Sequence, residues 1–124
     1  MLIDTDILID YFKDVDAAVG FVEANIDQVF VSSITVAELY QGVREGAERH
    51  ALEEFISAVA VLGIDGEVGK TAGLYRRQYR ASHNVGLADC LIAATASCHH
   101  MSLKTLNTKH FPMLKEVEAP YEKS

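Results

Sequence analysis

The chain has 124 residues, of which 49% are hydrophobic and 23% are charged, and its formal net charge is −7. This composition is typical of one globular domain and excludes a disordered chain. The acidity argues against a protein that grips nucleic acid over a broad basic face, although a local basic patch or a basic partner protein is compatible with it. No stretch has the length and apolarity of a signal peptide or a membrane span, so we expect a cytoplasmic protein.

Short apolar runs alternate with helix-like runs along the chain. Buried strands are predicted at 1–3, 28–31, 60–62 and 102–106, with a further edge strand at 116–119. Helical spacing and cap-type residues predict helices over 7–13, 14–25, from 32–35 onward, 48–58, 65–82 and 87–96, and a closing turn with a short helix over 107–114. Because strands that alternate with helices pair in parallel through right-handed crossovers, we predict an α/β fold. It is a single domain over residues 1–124, a three-layer α/β/α sandwich around a mostly parallel sheet of four to five strands.

Four acidic residues lie where such a sheet would bring them together. Asp4 and Asp6 follow the first strand, Glu38 is in the first turns of the helix after the second strand, and Asp89 is near a helix N-terminus. In open parallel sheets, ligands gather beyond the carboxyl ends of the strands, where the strand order reverses. Like charges in one crevice repel one another unless a cation is bound, so the pattern predicts a site for a divalent metal ion.

Three segments that carry these acids resemble the motifs of a known family. They are LIDTDILI at 2–9, SITVAEL at 33–39 and DCLIAATA at 89–96, and their order resembles that of the PIN-domain ribonucleases, in particular the VapC-type toxins of toxin–antitoxin pairs. The resemblance covers almost the whole chain. It implies an endoribonuclease dependent on Mg²⁺ or Mn²⁺, with Asp4, Glu38 and Asp89 as the catalytic, metal-binding acids.

The resemblance also ranks the weaker site candidates. Asp6 is a possible fourth ligand, although an asparagine serves in its place in the family, and Thr5 and Ser33 are expected to hydrogen-bond the carboxylates. The last motif of the family commonly carries an acid where this chain has His110, within TLNTKHF at 105–111. Histidine suits Mn²⁺ better than Mg²⁺, and His110 is either a ligand or a helix-cap or surface residue. Asn107 keeps its place in the motif and is expected to hold a water or to orient Asp4.

Partners follow from the same resemblance. RNA is the expected substrate, and the basic residues that could contact its phosphates are Lys70, Arg76, Arg80, Lys104 and Lys109, although those on the long helix could equally form a solvated face. The expected protein partner is an antitoxin that presents a basic residue to the acidic site. A homodimer is also expected, and the apolar helix surface around Val36, Leu39, Tyr40 and Val43 could be either its interface or core.

Two other classes of protein share part of this pattern. A phosphatase of the haloacid dehalogenase type would use Asp4 as nucleophile, but Ile7 and Leu8 stand where that class expects Gly-Thr. A non-enzymatic receiver-like switch domain would use Asp65 as phosphoacceptor, but this residue has no paired lysine.

Overall fold

Helices separate the short strands of the central sheet. The computed structural model describes residues 1–123. The strands are β1 (Leu2–Ile3), β2 (Phe30–Ser32), β3 (Ala60–Leu62), β4 (Leu103–Lys104) and β5 (Val117–Glu118). The α-helices are α1 (Thr5–Phe12), α2 (Asp16–Ala24), α3 (Ser33–Gly42), α4 (Ala47–Ala58), α5 (Gly66–His83) and α6 (Leu87–Cys98). Two 3₁₀ turns, Ile26–Gln28 and Thr108–His110, complete the regular structure of these residues.

The sheet has five strands in the order β3-β2-β1-β4-β5, and all the pairs are parallel. Leu2 of β1 lies between Phe30 of β2 and Leu103 of β4. The chain builds the sheet outward from β1 in one direction through β2 and β3, then returns to the other side of β1 with β4 and β5. The strand order therefore reverses between β1 and β4, and the crevice beyond their carboxyl ends is the expected place for a ligand.

The two side chains of β1 point to opposite faces of the sheet, as the strand pleat requires. Ile3 joins a core cluster with residues of α1, α2, α3 and α4, whereas Leu2 packs with Ile92 and Ala96 of α6. Val68 and Ala72 of α5 pack against Cys90 and Ala94 of α6 in a third cluster. Leu2 and Ile3 are fully buried, and each such burial stabilises the fold by about 1.5–3 kcal/mol. Helices thus cover both faces of a parallel sheet, which confirms the predicted α/β/α sandwich.

Several boundaries differ from the sequence-based prediction. Helix α1 begins at Thr5 and not at residue 7, because the Asp4 side chain caps it by accepting a hydrogen bond from Thr5 N at 2.8 Å. Strand β2 begins at Phe30 because residues 26–28 form a 3₁₀ turn. Strand β4 is shorter than the predicted 102–106, and beyond it the N–H of Leu106 donates to the Asp6 carboxylate at 2.9 Å.

Helix α6 is the most deeply buried of the helices over residues 1–123. It follows Gly86, and its residues 92–96 are all buried; three of the five are alanines, which let the sheet and α5 approach closely. Despite this apolarity, none of the helices in the described part of the chain combines the length and hydropathy that a membrane span needs. Packing of this buried run fixes the position of α6. Asp89, in the first turn of the helix, thereby lies at the carboxyl edge of the sheet.

Candidate active site

The reversal of strand order places the ends of β1 and β4 side by side. Asp4 follows β1 directly and Thr105 follows β4 directly. Asp4 is only 6% exposed, and its Oδ2 accepts a hydrogen bond of 2.7 Å from Thr105 Oγ1. Its Oδ1 accepts the capping bond from Thr5 N. Both carboxylate oxygens of Asp4 therefore accept hydrogen bonds. One comes from Thr5, in the segment after β1, and the other comes from Thr105, in the segment after β4.

Asp6 stands beside Asp4, in the first turn of α1. Its Oδ1 accepts from Ile7 N at 2.8 Å and its Oδ2 accepts from Leu106 N at 2.9 Å. Thr105 Oγ1 is also 3.4 Å from Asp6 Oδ2. Because the hydroxyl has one proton, it donates to the nearer carboxylate, that of Asp4, and the Asp6 contact is the weaker one. Thr105 thus lies between the two acids.

Glu38 joins the site through a pair of threonine hydroxyls. Thr5 Oγ1 donates to Glu38 Oε1 at 2.7 Å and is 3.0 Å from the hydroxyl of Thr35, which is fully buried. Since Thr5 gives its only proton to the carboxylate, Thr35 donates to Thr5. The residue that follows Asp4 therefore fixes the position of Glu38, so that carboxylates from α1 and α3 are linked.

Asp89 and His110 form the outer rim of the site. His110 Nδ1 is 3.4 Å from Asp89 Oδ2, and the two side chains are 51% and 33% exposed. His110 belongs to the 3₁₀ turn Thr108–His110 that follows β4. The structure thus brings His110 to the predicted aspartate, in a position more exposed than that of Asp4.

Burial, together with crowding of negative charge, sets the electrostatics of the site. Burial, the charge of Asp6 and the charge of Asp89 raise the pKa of Asp4 to about 7, although the hydrogen bonds from Thr105 and Thr5 favour its ionised form. Burial likewise raises the pKa of Asp6, against the hydrogen bonds from Leu106 and Ile7. Over residues 1–123, no lysine or arginine forms an ion pair with Asp4, Asp6, Glu38 or Asp89. A group of carboxylates that is not ion-paired with lysine or arginine favours binding of a cation.

The donor set is made of carboxylate oxygens with one imidazole at the rim, which suits a hard divalent ion such as Mg²⁺ or Mn²⁺. In residues 1–123, no three acidic, histidine or cysteine side chains already converge in the arrangement of a metal cage. The carboxylates of Asp4, Asp6 and Glu38 instead accept the hydrogen bonds described above. The assignment of Asp4, Glu38 and Asp89 as metal ligands, with Asp6 and His110 as further candidates, stays a prediction that the chemistry of the set supports.

Two of the predicted supporting residues have other surroundings than expected. The N–H of Asn107 donates to Thr105 Oγ1 at 3.1 Å, so the contact that orients Asp4 comes from Thr105. Ser33 is the first residue of α3, and the preceding Ser32 caps that helix by accepting from Ile34 N at 3.1 Å. Thr105 was missed by sequence reasoning, although it opens the segment that contains Asn107 and His110.

The candidate RNA-contacting residues occupy different environments. Lys104 forms an ion pair with Glu118, while Arg76 donates through Nε to the carbonyl oxygen of Val85 at 2.8 Å. Lys70, Arg80 and Lys109 are exposed. Val85 lies in the connection from α5 to α6, four residues before Asp89, and Arg76 therefore reaches towards the rim of the site.

A groove of about 1270 Å³ extends from Glu38 along α1, α2, α3 and α4. Apolar side chains including Ile9, Phe12, Leu39 and Val43 line it, and Arg44 and Glu48 lie among its charged residues. From the sequence, the apolar helix surface around Val36, Leu39, Tyr40 and Val43 could be either dimer interface or core. In the structure these residues divide between the core cluster and the groove. Val36 and Tyr40 pack against the core cluster, and Leu39 and Val43 both pack there and line the groove.

Comparison with known proteins agrees with this fold. The family model described as PIN domain matches residues 1–115. Ribonuclease VapC10 and Ribonuclease VapC19 of Mycobacterium tuberculosis (strain ATCC 25618 / H37Rv) are 38% and 37% identical; the alignments cover 98% and 97% of this chain and 92% and 98% of those proteins. A solved toxin–antitoxin complex from Klebsiella pneumoniae contains a chain that is 30% identical, with a TM-score of 0.85 and 98% of each chain covered. The chain therefore belongs to the PIN-domain family.

Proposed function

We propose that this chain is a metal-dependent endoribonuclease, the toxin component of a VapBC-type toxin–antitoxin pair. Its relatives named Ribonuclease VapC match over almost their whole length, and a similar chain belongs to a toxin–antitoxin complex. The observation that supports the proposal is the environment of Asp4 at the strand-order reversal: Asp4 is buried beside Asp6, and burial together with the charges of Asp6 and Asp89 raises its pKa to about 7. Such a carboxyl at the carboxyl edge of a parallel sheet is typical of a functional site and not of a structural one.

Asp4, Glu38 and Asp89 would hold Mg²⁺ or Mn²⁺, with Asp6 and His110 as additional donors. When bound, such an ion lowers the pKa of a water molecule and stabilises negative charge on the phosphate during in-line attack. The hydroxyl of Thr105 keeps Asp4 oriented, and the hydroxyl of Thr5 does the same for Glu38. Because the bond from Thr105 favours the ionised form of Asp4, it opposes the effect of burial on the pKa of Asp4 and keeps this carboxylate available to a cation.

The substrate we propose is RNA, whose phosphates would meet a small basic surface next to the acids. Arg76 is fixed by the Val85 carbonyl through Nε, which leaves the other N–H groups of its guanidinium for a phosphate. Arg80 is one helical turn further along α5, and Lys109 is beside His110. Lys70 is at the far end of α5 and Lys104 is paired with Glu118, so we rank both below the other three. Action on RNA is consistent with a cytoplasmic protein.

The antitoxin would occupy the groove that begins at Glu38. The apolar walls of this groove suit a segment with apolar side chains, and Glu38, the site acid that lines it, suits a basic residue on that segment. A basic side chain inserted among the carboxylates would compete with the metal ion for the same negative charge. Inhibition of the nuclease would follow directly. A homodimer remains part of the proposal; Val36 and Tyr40, which are half-buried against the core cluster, keep part of their surface available to it.

The test is cleavage of a fluorescent single-stranded RNA by the purified chain with Mg²⁺ or Mn²⁺ and with EDTA. We expect cleavage only with metal, and its loss in the variants Asp4→Asn and Asp89→Asn, which remove a ligand while leaving a side chain of similar shape. Asp27→Asn, a change at an exposed acid, is the matched control and should keep wild-type activity. A folded Asp4→Asn variant that cleaves RNA at the wild-type rate would exclude the proposed site.

The same preparation distinguishes the phosphatase and the switch domain. Both of these would bind beryllofluoride at an aspartate as an acyl-phosphate mimic, whereas the nuclease should not. The structure gives Asp65 a capping role in place of the phosphoacceptor role, since its Oδ1 accepts from Val68 N at 3.0 Å at the start of α5. Fluorine NMR of the chain with beryllofluoride would reveal a bound signal if either of the other two classes were correct.

A further inference from the structure

A buried carboxylate on α1 is held by residues near the C-terminal end of the described chain. Asp10 is 1% exposed. Its Oδ2 accepts a hydrogen bond from Tyr121 Oη at 2.9 Å, and its Oδ1 accepts one from Lys123 Nζ at 2.8 Å. Burial alone would raise the pKa of Asp10, but the hydrogen bonds and charge of Lys123 and the bond from Tyr121 hold this pKa below its usual range. An ionised acid in the interior with both oxygens engaged is a firm attachment point.

The attachment point lies directly behind the acidic site. Helix α1 has eight residues, is capped by Asp4, and carries Asp6 in its first turn and Asp10 one turn later on the same side. A helix this short is unstable by itself and depends on tertiary contacts for its position. Because this one short helix joins Asp10 to Asp6 and to the capping residue Asp4, we expect a change at Asp10 to shift both of them.

The segment 119–123, called here the C-terminal strap, follows β5. Since β5 is parallel to β4, the strap leaves the sheet at the same edge as Thr105. Tyr121 packs against the core cluster that contains Ile7, and Leu106, whose N–H donates to Asp6, packs against the same cluster. The strap lies beyond the segment matched by the PIN family model, which ends at residue 115. It therefore adds a support for α1 from outside that segment.

We propose that Asp10 is a positioning residue for the acidic site: the strap, through Tyr121 and Lys123, fixes the orientation of α1 and so the metal-binding geometry of Asp4 and Asp6. This inference rests on the proposed function, because the orientation of these carboxylates matters to a metal ion. Residues behind metal ligands commonly change affinity by about 10–100-fold when they are substituted. The effect of the strap should therefore be measurable as metal affinity, separately from protein stability.

Substitution of Lys123 separates positioning from a simple effect of charge. Lys123→Met removes a positive charge from the neighbourhood of the acids, and through-space electrostatics alone would make the site more negative and bind a divalent cation more tightly. Positioning gives the opposite sign, because α1 loses its support. Tyr121→Phe removes a hydrogen bond to Asp10 without a change of charge, and Lys123→Arg keeps the charge and a donor.

The experiment is titration of each folded variant with Mn²⁺, followed by the EPR signal of the free ion. We expect Lys123→Met to bind Mn²⁺ about tenfold more weakly than wild type, Tyr121→Phe to be weakened in the same direction, and Lys123→Arg to retain wild-type affinity. Lys115→Met is the matched control, since it makes the same charge change at an exposed lysine in the same C-terminal part, and it should not alter the affinity. Circular dichroism establishes that each variant is folded at the temperature of the titration. If Lys123→Met does not fold, Tyr121→Phe decides the question, because it keeps the ion pair between Lys123 and Asp10.

The outcomes separate the two proposals. Weaker Mn²⁺ binding by Lys123→Met and by Tyr121→Phe, with normal binding by Lys123→Arg and Lys115→Met, would support the positioning role. Equal or tighter binding by Lys123→Met, or wild-type binding by Tyr121→Phe, would overturn it while leaving the proposed nuclease intact. If wild-type Mn²⁺ binding survives in Asp4→Asn, the proposed metal site itself is wrong, and the role of the strap is rejected with it.

Discussion

Asp4→Asn should make the metal-free protein more stable at alkaline pH, although it destroys the proposed active site. In the folded chain, Asp4 is buried beside Asp6, and its pKa is raised from 3.8 to about 7. Between these two pH values the folded state keeps a proton that the unfolded chain has released. Stability therefore falls as the pH rises through this window, because the unfolded state binds fewer protons than the folded state. An asparagine has the same shape and does not titrate, so this loss disappears.

The size of the effect follows from the shift. A pKa raised by about three units corresponds to about 4 kcal/mol in the free energy of unfolding, of which about 2.5 kcal/mol falls between pH 5 and pH 8. The hydrogen bonds of Asp4 survive the substitution, since the amide oxygen can accept from Thr5 N and the Thr105 hydroxyl can rotate to accept from the new amide nitrogen. We therefore expect the wild-type protein to lose about 2.5 kcal/mol more than Asp4→Asn over this range.

Urea unfolding followed by circular dichroism at pH 5 and pH 8, with EDTA present, measures this difference. The wild-type midpoint should fall by about 1–2 M relative to that of Asp4→Asn. Asp27→Asn removes a carboxylate that is exposed and should follow the wild-type pH dependence. Parallel pH dependence of the wild type and Asp4→Asn would refute the reasoning, because it would mean that Asp4 carries no burial cost. Addition of Mn²⁺ at pH 8 should stabilise the wild type and not Asp4→Asn.

Three further predictions concern the rest of the site. Thr105→Val removes the hydroxyl between Asp4 and Asp6 and should weaken Mn²⁺ binding by about 10–100-fold in calorimetry; unchanged affinity would contradict the role given to Thr105. His110→Asp should lower the ratio of Mn²⁺-supported to Mg²⁺-supported RNA cleavage, whereas a constant ratio would place His110 outside the metal shell. Arg76→Met should weaken RNA binding and reduce the slope of log affinity against log salt by about 0.7, with Arg77→Met on the same helix as the comparison. An unaltered slope would remove Arg76 from the RNA surface.

The sequence predicted the part of the fold that depends on local patterns. The alternation of short apolar runs and helical runs identified the parallel sheet, and the acids at the ends of these runs identified the crevice. Prediction of boundaries was weaker wherever a side chain competes with the backbone, as when Asp4 caps α1 and Asp6 takes the N–H of Leu106. These contacts depend on the arrangement of β1 and β4, which the periodicity of either segment does not contain.

The supporting roles of Thr105 and Asp10 could not be predicted from the sequence for a related reason. Thr105 is one threonine among several, and its importance comes from a contact with Asp4 across 101 positions of the chain. Asp10 lies in an ordinary helical run, and its partners Tyr121 and Lys123 are 111 and 113 positions away. Local spacing carries information about neighbours on one helix or strand, whereas these contacts are created only by the closed tertiary structure.

The distance in sequence between Asp4 and Thr105 has a consequence for how the protein is made. During synthesis, the N-terminal acids leave the ribosome long before the strand that completes their crevice, and domains generally fold as units once their sequence is available. Pairing of β1 with β4 must wait until residues 103 and 104 have emerged. The acidic crevice is therefore completed only after all six helices, α1 to α6, have been synthesised.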